Sequence, residues 1–269
     1  MPVMLKQVSL FVLIVGLVIG AVPVSVHASS LTALEDVEPG DLIRGESFSA
    51  VYYYGEDGFR YVFPNDKTYF TWFSDFDDVV WISDTDLGRI QIGGNVTYKP
   101  GVKMIKINTD PKTYAINEGG ELWWVSTESA AVALYGDNWN TMIDDVPDGF
   151  FSNYTVTGEE INGTDDFDPA VVEDSTSDIS EDKGLMDAYD VEITDNAYSE
   201  SSITIEAGQT VRFTNNGDSK HTATGDDGDW GSGTISADGG FWTRRFEEEG
   251  IYTFYCSYHP SMNGTIIVE

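Results

Sequence analysis

The sequence is poor in the side chains from which most metal and nucleophilic sites are built. Its 269 residues include one cysteine and three histidines. A single cysteine excludes an internal disulfide. Residues 29–158 contain neither a histidine nor a cysteine, which excludes Ser-His and Cys-His nucleophilic catalysis and most transition-metal chemistry in that part of the chain.

Basic residues are also scarce. The chain has 14 lysines and arginines against 46 aspartates and glutamates, for a formal net charge of −32. A polyanion of this kind repels nucleic acid and anionic membrane surfaces, and it stays soluble. We therefore expect no nucleic-acid partner. The acidic surface serves solubility, and it could also steer a basic redox partner toward the protein.

One long apolar run lies near the N-terminus. It extends from Val8 to Val26 and ends in the small-residue pattern Val26-His27-Ala28, where a signal peptidase would cut. The pattern predicts a signal peptide over residues 1–28 and an exported protein in the periplasm, at the cell surface or in the medium. The alternative is a retained membrane anchor, because the run is nearly long enough to span a bilayer. Cleavage would leave His221 and His259 as the remaining histidines.

Residues 29–158 are rich in aromatic side chains and glycine turns. Two β-prone runs, Val51 to Tyr54 and Phe59 to Phe63, flank a glycine-bearing turn and predict a hairpin. The same design recurs about 62 residues later, in Thr113 to Ile116 and Glu121 to Val125, which indicates a tandem pseudo-repeat. We predict one β-dominated (α+β) domain built from both halves, with a helix from Thr127 to Tyr135.

The residues of this aromatic-rich domain are compatible with more than one role. Most of its rings are expected to fill the core. Trp123 and Trp124 are adjacent, however, and neighbouring residues of a strand face opposite sides, so some rings would form an exposed face for a cell-surface or glycan contact. Its many carboxylates could also serve glycoside hydrolysis. The segment is similar to extracytoplasmic domains of bacterial surface proteins whose function is not assigned.

The composition changes between Glu159 and Asp182. This stretch has ten acidic residues, no basic residue and few apolar ones. Such a composition does not bury enough apolar surface to offset the entropy of ordering. The sequence therefore predicts an acidic disordered linker over residues 159–184, which separates the aromatic-rich domain from the C-terminal domain.

Residues 185–269 show a different pattern again. Several short runs alternate apolar and polar residues in or near period two, among them Ser202 to Ile205 and Ile251 to Tyr255. Turn residues such as Gly208 and Gly250 separate these runs. Short strands at this spacing predict a small β-sandwich.

A metal site is predicted within this sandwich. Cys256, His259 and Met262 follow one another at intervals of three, so one loop can present a thiolate, an imidazole and a thioether. His221 lies upstream and must be brought to the loop by the fold. This soft, mixed donor set suits copper, and a site with two nitrogens, one sulfur and a weak axial thioether suits one-electron transfer. It leaves no obvious open position, which argues against hydrolysis at the metal.

The C-terminal segment resembles the cupredoxin family, in particular the plastocyanin/amicyanin group of type 1 blue copper proteins. The resemblance is carried by residues 203–213, by Asn215-Asn216 ahead of His221, and by residues 250–268. The short Cys-x-x-His-x-x-Met spacing is similar to the amicyanin-like branch. The resemblance implies a Greek-key β-sandwich with one type 1 copper per chain.

The same resemblance implies a role for each candidate ligand. His221 and His259 would be equatorial ligands, Cys256 the thiolate and Met262 the axial thioether. Family members often have an asparagine directly after the upstream histidine, where it ties the ligand loops together. This chain has Thr222 there, whose hydroxyl could do a similar job.

These observations predict an exported electron-transfer protein that is not an enzyme and that exchanges single electrons with redox protein partners. In the resembling proteins, electrons leave through the exposed edge of the second histidine, here His259 beside Tyr258, Pro260 and Ser261. Two alternatives stay open. One is a protein that sequesters or delivers copper, and the other is a surface-binding adhesin with a structural copper site.

Overall fold

Four β-sheets organise residues 31–269, the part of the chain that the computed structural model describes. The predicted signal peptide, residues 1–28, lies outside the described residues. Within residues 31–269, no helix has the length and apolar character needed to cross a bilayer. The predicted fold class, mainly β with a C-terminal sandwich, is confirmed.

The first sheet belongs to the first half of the aromatic-rich domain. Its central strands form an antiparallel meander, and the last two strands add to its edges in parallel. The spatial order is β4-β1-β2-β3-β5. The elements are β1 (Leu42–Arg44), β2 (Tyr52–Tyr54), β3 (Arg60–Val62), α1 (Asp66–Trp72), β4 (Val79–Trp81), α2 (Asp84–Arg89) and β5 (Ile92–Asn95).

The second sheet repeats this arrangement. Its order, β10-β8-β7-β6-β9, is the first order read from the other edge, with the same parallel and antiparallel pairs. The elements are β6 (Met104–Ile107), β7 (Asp110–Asn117), β8 (Glu121–Val125), α3 (Glu128–Tyr135), β9 (Ile143–Asp145), α4 (Asp148–Phe151) and β10 (Thr155–Ile161). The predicted tandem pseudo-repeat is confirmed, and each predicted hairpin is the second antiparallel pair of its sheet.

The helix that follows each hairpin begins in the same way. Asn65 caps α1 by accepting a hydrogen bond from the Thr68 amide, and Thr127 caps α3 by accepting one from the Ala130 amide. Such caps satisfy amides that have no partner within the helix. The predicted helix from Thr127 to Tyr135 is therefore confirmed, with Thr127 as its cap.

The predicted disordered linker over residues 159–184 is wrong. Strand β10 runs to Ile161, and two helices follow, α5 (Pro169–Ser175) and α6 (Ile179–Lys183). Two apolar side chains of this segment enter the cores of the repeats: Phe167 is buried in that of the second repeat and Ile179 in that of the first.

The acidic residues of this segment stabilise its order. Asp168 and Asp178 cap α5 and α6 by accepting backbone hydrogen bonds. Asp182 is buried and accepts hydrogen bonds from the Gly119 amide (2.9 Å) and the Thr97 hydroxyl (3.2 Å). The composition of the segment suggests that these carboxylates only repel one another. In the structure they instead cap helices or accept hydrogen bonds in buried positions.

The C-terminal strands form the predicted sandwich. One sheet has the order β12-β11-β14-β16 and the other β13-β18-β17-β15. The two sheets enclose one apolar core that includes Val211, Phe213, Phe254 and Ile266. The strands are β11 (Tyr189–Thr194), β12 (Ala197–Tyr198), β13 (Ser202–Ile205), β14 (Thr210–Asn215), β15 (Thr224–Gly225), β16 (Gly240–Arg245), β17 (Gly250–Tyr255) and β18 (Asn263–Val268).

The sandwich packs directly against the first repeat. Arg245 of β16 forms an ion pair with the buried Asp57 carboxylate and donates a hydrogen bond to the Tyr61 hydroxyl (2.9 Å). Further hydrogen bonds cross the same interface: Arg212 Nη1 to Tyr54 Oη (2.8 Å), Arg89 Nη2 to Gly239 O (2.6 Å) and Thr243 N to Gln91 Oε1 (2.9 Å). Residues 31–269 thus form one compact unit.

Candidate metal centre

The loop between β17 and β18 is closed by its own backbone. The Cys256 amide donates to Met262 O (2.9 Å), the His259 amide to Cys256 O (3.1 Å), and the Met262 amide to His259 O (2.8 Å). These three hydrogen bonds tie together the residues that carry the thiolate, the imidazole and the thioether. The short spacing in the sequence therefore becomes one rigid turn.

His221 reaches the same place from the connection between β14 and β15. Its amide and carbonyl exchange hydrogen bonds with Ile235 (3.1 and 2.8 Å). The Asn215 side chain braces this segment, because its Nδ2 donates to Ser219 O (2.8 Å) and to Ile235 O (3.1 Å). His221 is fully buried. The fold thus supplies the distant ligand that the loop lacks.

The three predicted equatorial ligands meet. Cys256 Sγ lies 3.6 Å from His221 Nδ1 and 3.7 Å from His259 Nδ1, and the two Nδ1 atoms are 3.3 Å apart. A point equidistant from these three atoms lies about 2 Å from each, close to the length of a bond from a first-row metal ion to imidazole nitrogen or thiolate sulfur. The donor set and its spacing therefore fit a transition-metal ion.

Met262 lies beside this triangle. Its side chain is buried in the same apolar cluster as Cys256, and its backbone bonds to both Cys256 and His259. The structure thus places Met262 in the wall of the site. Its role as an axial ligand stays a prediction.

Burial sets the protonation of His221. Desolvation, reinforced by the nearby His259 charge, lowers the pKa of the His221 imidazole. The neutral imidazole is the form that binds metal. In the described part of the chain, His221 Nε2 is buried without a hydrogen-bond partner. Packing, together with the backbone bonds to Ile235, therefore orients the ring.

Thr222 connects the two ligand segments, as the sequence predicted. Its hydroxyl accepts a hydrogen bond from the Ser257 amide (2.8 Å), directly after Cys256. Its own amide points at Cys256 Sγ (3.4 Å). An N–H group aimed at the sulfur stabilises a thiolate. Thr222 therefore holds the two segments together and places an N–H group against the predicted sulfur ligand.

Replacing Thr222 with alanine is expected to lower the free energy of unfolding of the metal-free protein by about 1–3 kcal/mol, because the partly buried Ser257 amide loses its acceptor. Thr222→Ser keeps the hydroxyl and is the matched control, with an expected loss of less than half as much. Urea unfolding followed by tryptophan fluorescence measures both. Equal losses in the two variants would show that the methyl group matters and the hydrogen bond does not.

One edge of the site reaches the surface. Cys256 and His221 are completely buried, whereas His259 is half-buried. Tyr258, Pro260 and Ser261 around it are exposed, and Tyr258 Oη is hydrogen-bonded to Thr234 Oγ1 (2.7 Å). The His259 edge is thus the solvent-facing part of an otherwise buried centre.

Comparison with known proteins assigns a family to the C-terminal third of the chain. Residues 175–268 match the family model of the cupredoxin-like domain. The match begins within α5, ahead of the predicted boundary at residue 185. No curated protein sequence matches the chain.

Solved structures with similarity to the chain align with under a third of it. A purple cupredoxin from Nitrosopumilus maritimus is 27% identical over 30% of this chain and 99% of its own, with a TM-score of 0.28. Amicyanin from Paracoccus versutus is 33% identical over 31% and 82%, with a TM-score of 0.28. A Cu-containing nitrite reductase from Thermus scotoductus SA-01 is 23% identical over 30% and 22%, with a TM-score of 0.28.

Proposed function

Because residues 175–268 form a cupredoxin domain, we propose that the protein carries single electrons with one type 1 copper ion. His221, Cys256 and His259 would hold the ion, with Met262 on the axial side. The observation that carries this proposal is the triangle of two imidazole nitrogens and one sulfur with sides of 3.3, 3.6 and 3.7 Å. Copper in such a donor set supplies one-electron redox chemistry.

The residues around the triangle favour a carrier over an enzyme. The closed backbone turn from Cys256 to Met262 and the Thr222 cross-link hold the ligands in one arrangement. Burial of Cys256 and His221 excludes water from most of the site. Beyond the predicted signal peptide the chain has two histidines, His221 and His259, and both belong to this site. No histidine is left for the further ligands that a copper oxidase or nitrite reductase needs.

The proposal includes a partner and a location. A redox protein would dock at the exposed His259 edge, where Tyr258 and Pro260 offer apolar surface. The protein would act outside the cytoplasm, which the sequence of residues 1–28 supports. Intact-mass spectrometry of the exported protein is expected to give the mass of a chain that begins near residue 29. A mass that includes residues 1–28 would instead support a retained membrane anchor.

Copper loading tests the electron-carrier function. The purified protein is titrated with Cu(II) and studied by visible spectroscopy and protein-film voltammetry. We expect one copper per chain, an intense thiolate-to-copper charge-transfer band and a reversible one-electron couple. An irreversible couple, with ready transfer of Cu(I) to a chelator, would contradict the carrier and favour the copper-delivery alternative.

A further inference from the structure

Each repeat of the aromatic-rich domain contains a cleft at the start of the helix that follows its hairpin. The first cleft, about 440 Å³, lies between the hairpin β2–β3, the start of α1 and the ring of Phe76, and Phe150 of the second repeat closes one side of it. The second, about 290 Å³, lies between the hairpin β7–β8, the start of α3 and the ring of Trp139. The copper loop, residues 256–262, contributes to neither cleft.

The two clefts occupy the same place in the two repeats. The first cleft is lined by residues 49–51, 62–66 and 69. The second is lined by residues 111–113, 124–128 and 131, which follow those of the first at a constant spacing along the chain. The aromatic ring that forms one wall is Phe76 in the first cleft and Trp139 in the second, and Trp139 lies one residue beyond the position that this spacing predicts. Because many of these side chains differ between the repeats, the clefts are equivalent in position and only partly in residue type.

The lining of each cleft combines an aromatic ring with one carboxylate. Asp66 in the first turn of α1 and Glu128 in the first turn of α3 both line their clefts. Asp75 and Asp77 flank Phe76 in the sequence, and Asp137 lies close to Trp139. Such a pair of ring and carboxylate binds a cation: the face of the ring makes a cation–π contact, and the carboxylate forms a charge-assisted hydrogen bond.

The first cleft is preorganised for such contact. Phe76 is 48% exposed and stacks on the buried ring of Tyr69 at a centroid distance of 4.3 Å. Tyr69 donates a hydrogen bond to Asp75 O (2.6 Å), which fixes the segment that carries Phe76. Hydrogen bonds from the Asp77 amide and the Ser74 hydroxyl lower the pKa of Asp75, so this carboxylate is charged at neutral pH.

In the second cleft a cation of the chain itself lies on the Trp124 ring, so a basic ligand would bind beside it, at the Trp139 ring and the Glu128 carboxylate. The Lys112 ammonium lies 4.7 Å from the centroid of the Trp124 ring. Trp139, which is half-buried, and Glu128 line the same cleft. The whole chain has a formal net charge of −32, so anionic ligands are repelled and basic ones are attracted.

We propose that these twin clefts bind a basic polypeptide, with one lysine- or arginine-bearing stretch in each cleft. A partner long enough to span the two clefts would gain overall affinity by occupying both. This function goes beyond electron transfer, since it depends on the aromatic-rich repeats and not on the copper loop.

Calorimetric titration with a short blocked peptide, Ac-Gly-Arg-Arg-Gly-amide, tests the proposal. We expect two peptides per chain, and no binding of the glutamine analogue. Phe76→Ala and Trp139→Ala should each reduce the stoichiometry to one, and the double variant should abolish binding. These substitutions leave the net charge unchanged, so attraction by overall charge alone predicts no effect. Ile251→Ala, which removes a 73% exposed side chain from the copper domain, should still bind two.

Charge variants provide a second measurement that depends less on packing. Asp66→Asn and Glu128→Gln should each weaken one of the two binding events, whereas Asp165→Asn, an exposed acid outside both clefts, should not. Equal effects of all three, or an unchanged stoichiometry in the alanine variants, would overturn the proposal. Binding of a neutral hexasaccharide that is lost in Phe76→Ala or Trp139→Ala, without peptide binding, would instead assign the clefts to glycans. An unchanged copper spectrum in these variants separates either outcome from the electron-carrier function.

Discussion

Cys256→Ala is expected to abolish the thiolate-to-copper band completely and to weaken copper binding by more than about 100-fold, because loss of a second-shell partner alone costs about 10- to 100-fold. Cys256 Sγ is the only sulfur among the three atoms of the triangle, and it accepts a hydrogen bond from the Thr222 amide. Alanine leaves two imidazoles without the thiolate. Visible spectroscopy and competition with a chelator measure the two effects.

The matched control is Ser261→Ala, which removes an exposed hydroxyl from the same loop and should keep the band at full intensity. Cysteine and alanine differ by one buried atom, so the variant should lose only about 1 kcal/mol of folding stability. Thermal unfolding checks that it folds. Persistence of the band in Cys256→Ala would show that copper binds elsewhere, and the proposed centre would be wrong.

Asp57→Ala is expected to lower the free energy of unfolding by about 3 kcal/mol, because it leaves a largely buried cation without its partner. Asp57 is 1% exposed, and it pairs with Arg245 while accepting hydrogen bonds from the Tyr61 hydroxyl (2.5 Å) and the Phe59 amide (3.2 Å). Burial and the Asp57 charge raise the pKa of Tyr61, so its hydroxyl stays protonated and donates. Urea unfolding measures the change.

The double variant Asp57→Ala/Arg245→Met separates the lost pair from the lost packing. Methionine keeps much of the apolar length of arginine without its charge, so the double variant should recover at least half of the stability that Asp57→Ala loses. Because the pair joins the first repeat to the sandwich, Asp57→Ala should also shift the unfolding midpoint of the copper domain. A loss below about 1 kcal/mol would mean that the interface is too hydrated for the pair to matter.

The metal loop could be predicted from the sequence because its constraint is local. Cys256, His259 and Met262 lie within one turn, and their spacing alone limits the metals that fit. The pseudo-repeat could also be predicted, since each hairpin combines β-prone runs with a glycine turn. The role of Thr222 as the cross-link between the ligand segments is implied by the resemblance to the cupredoxins, in which an asparagine often occupies the position after the upstream histidine.

Contacts that join distant segments could not be predicted in this way. Nothing near Arg245 indicates that its partner is Asp57, far upstream in the first repeat. The folded structure of residues 162–184 could not be predicted from composition for a related reason. Composition records how many carboxylates a segment has, whereas its stability depends on whether Asp168, Asp178 and Asp182 meet amides or hydroxyls that need an acceptor. That information exists only once the repeats are folded.

The folded segment between the repeats and the sandwich determines how the copper centre can be used. A domain on a loose tether sweeps through solution and can visit a donor and an acceptor in turn. Here helix α6 and the Asp57–Arg245 pair fix the sandwich against the repeats, so the centre does not travel. If the protein carries electrons as proposed, its donor and its acceptor would have to dock in turn at the exposed edge of His259.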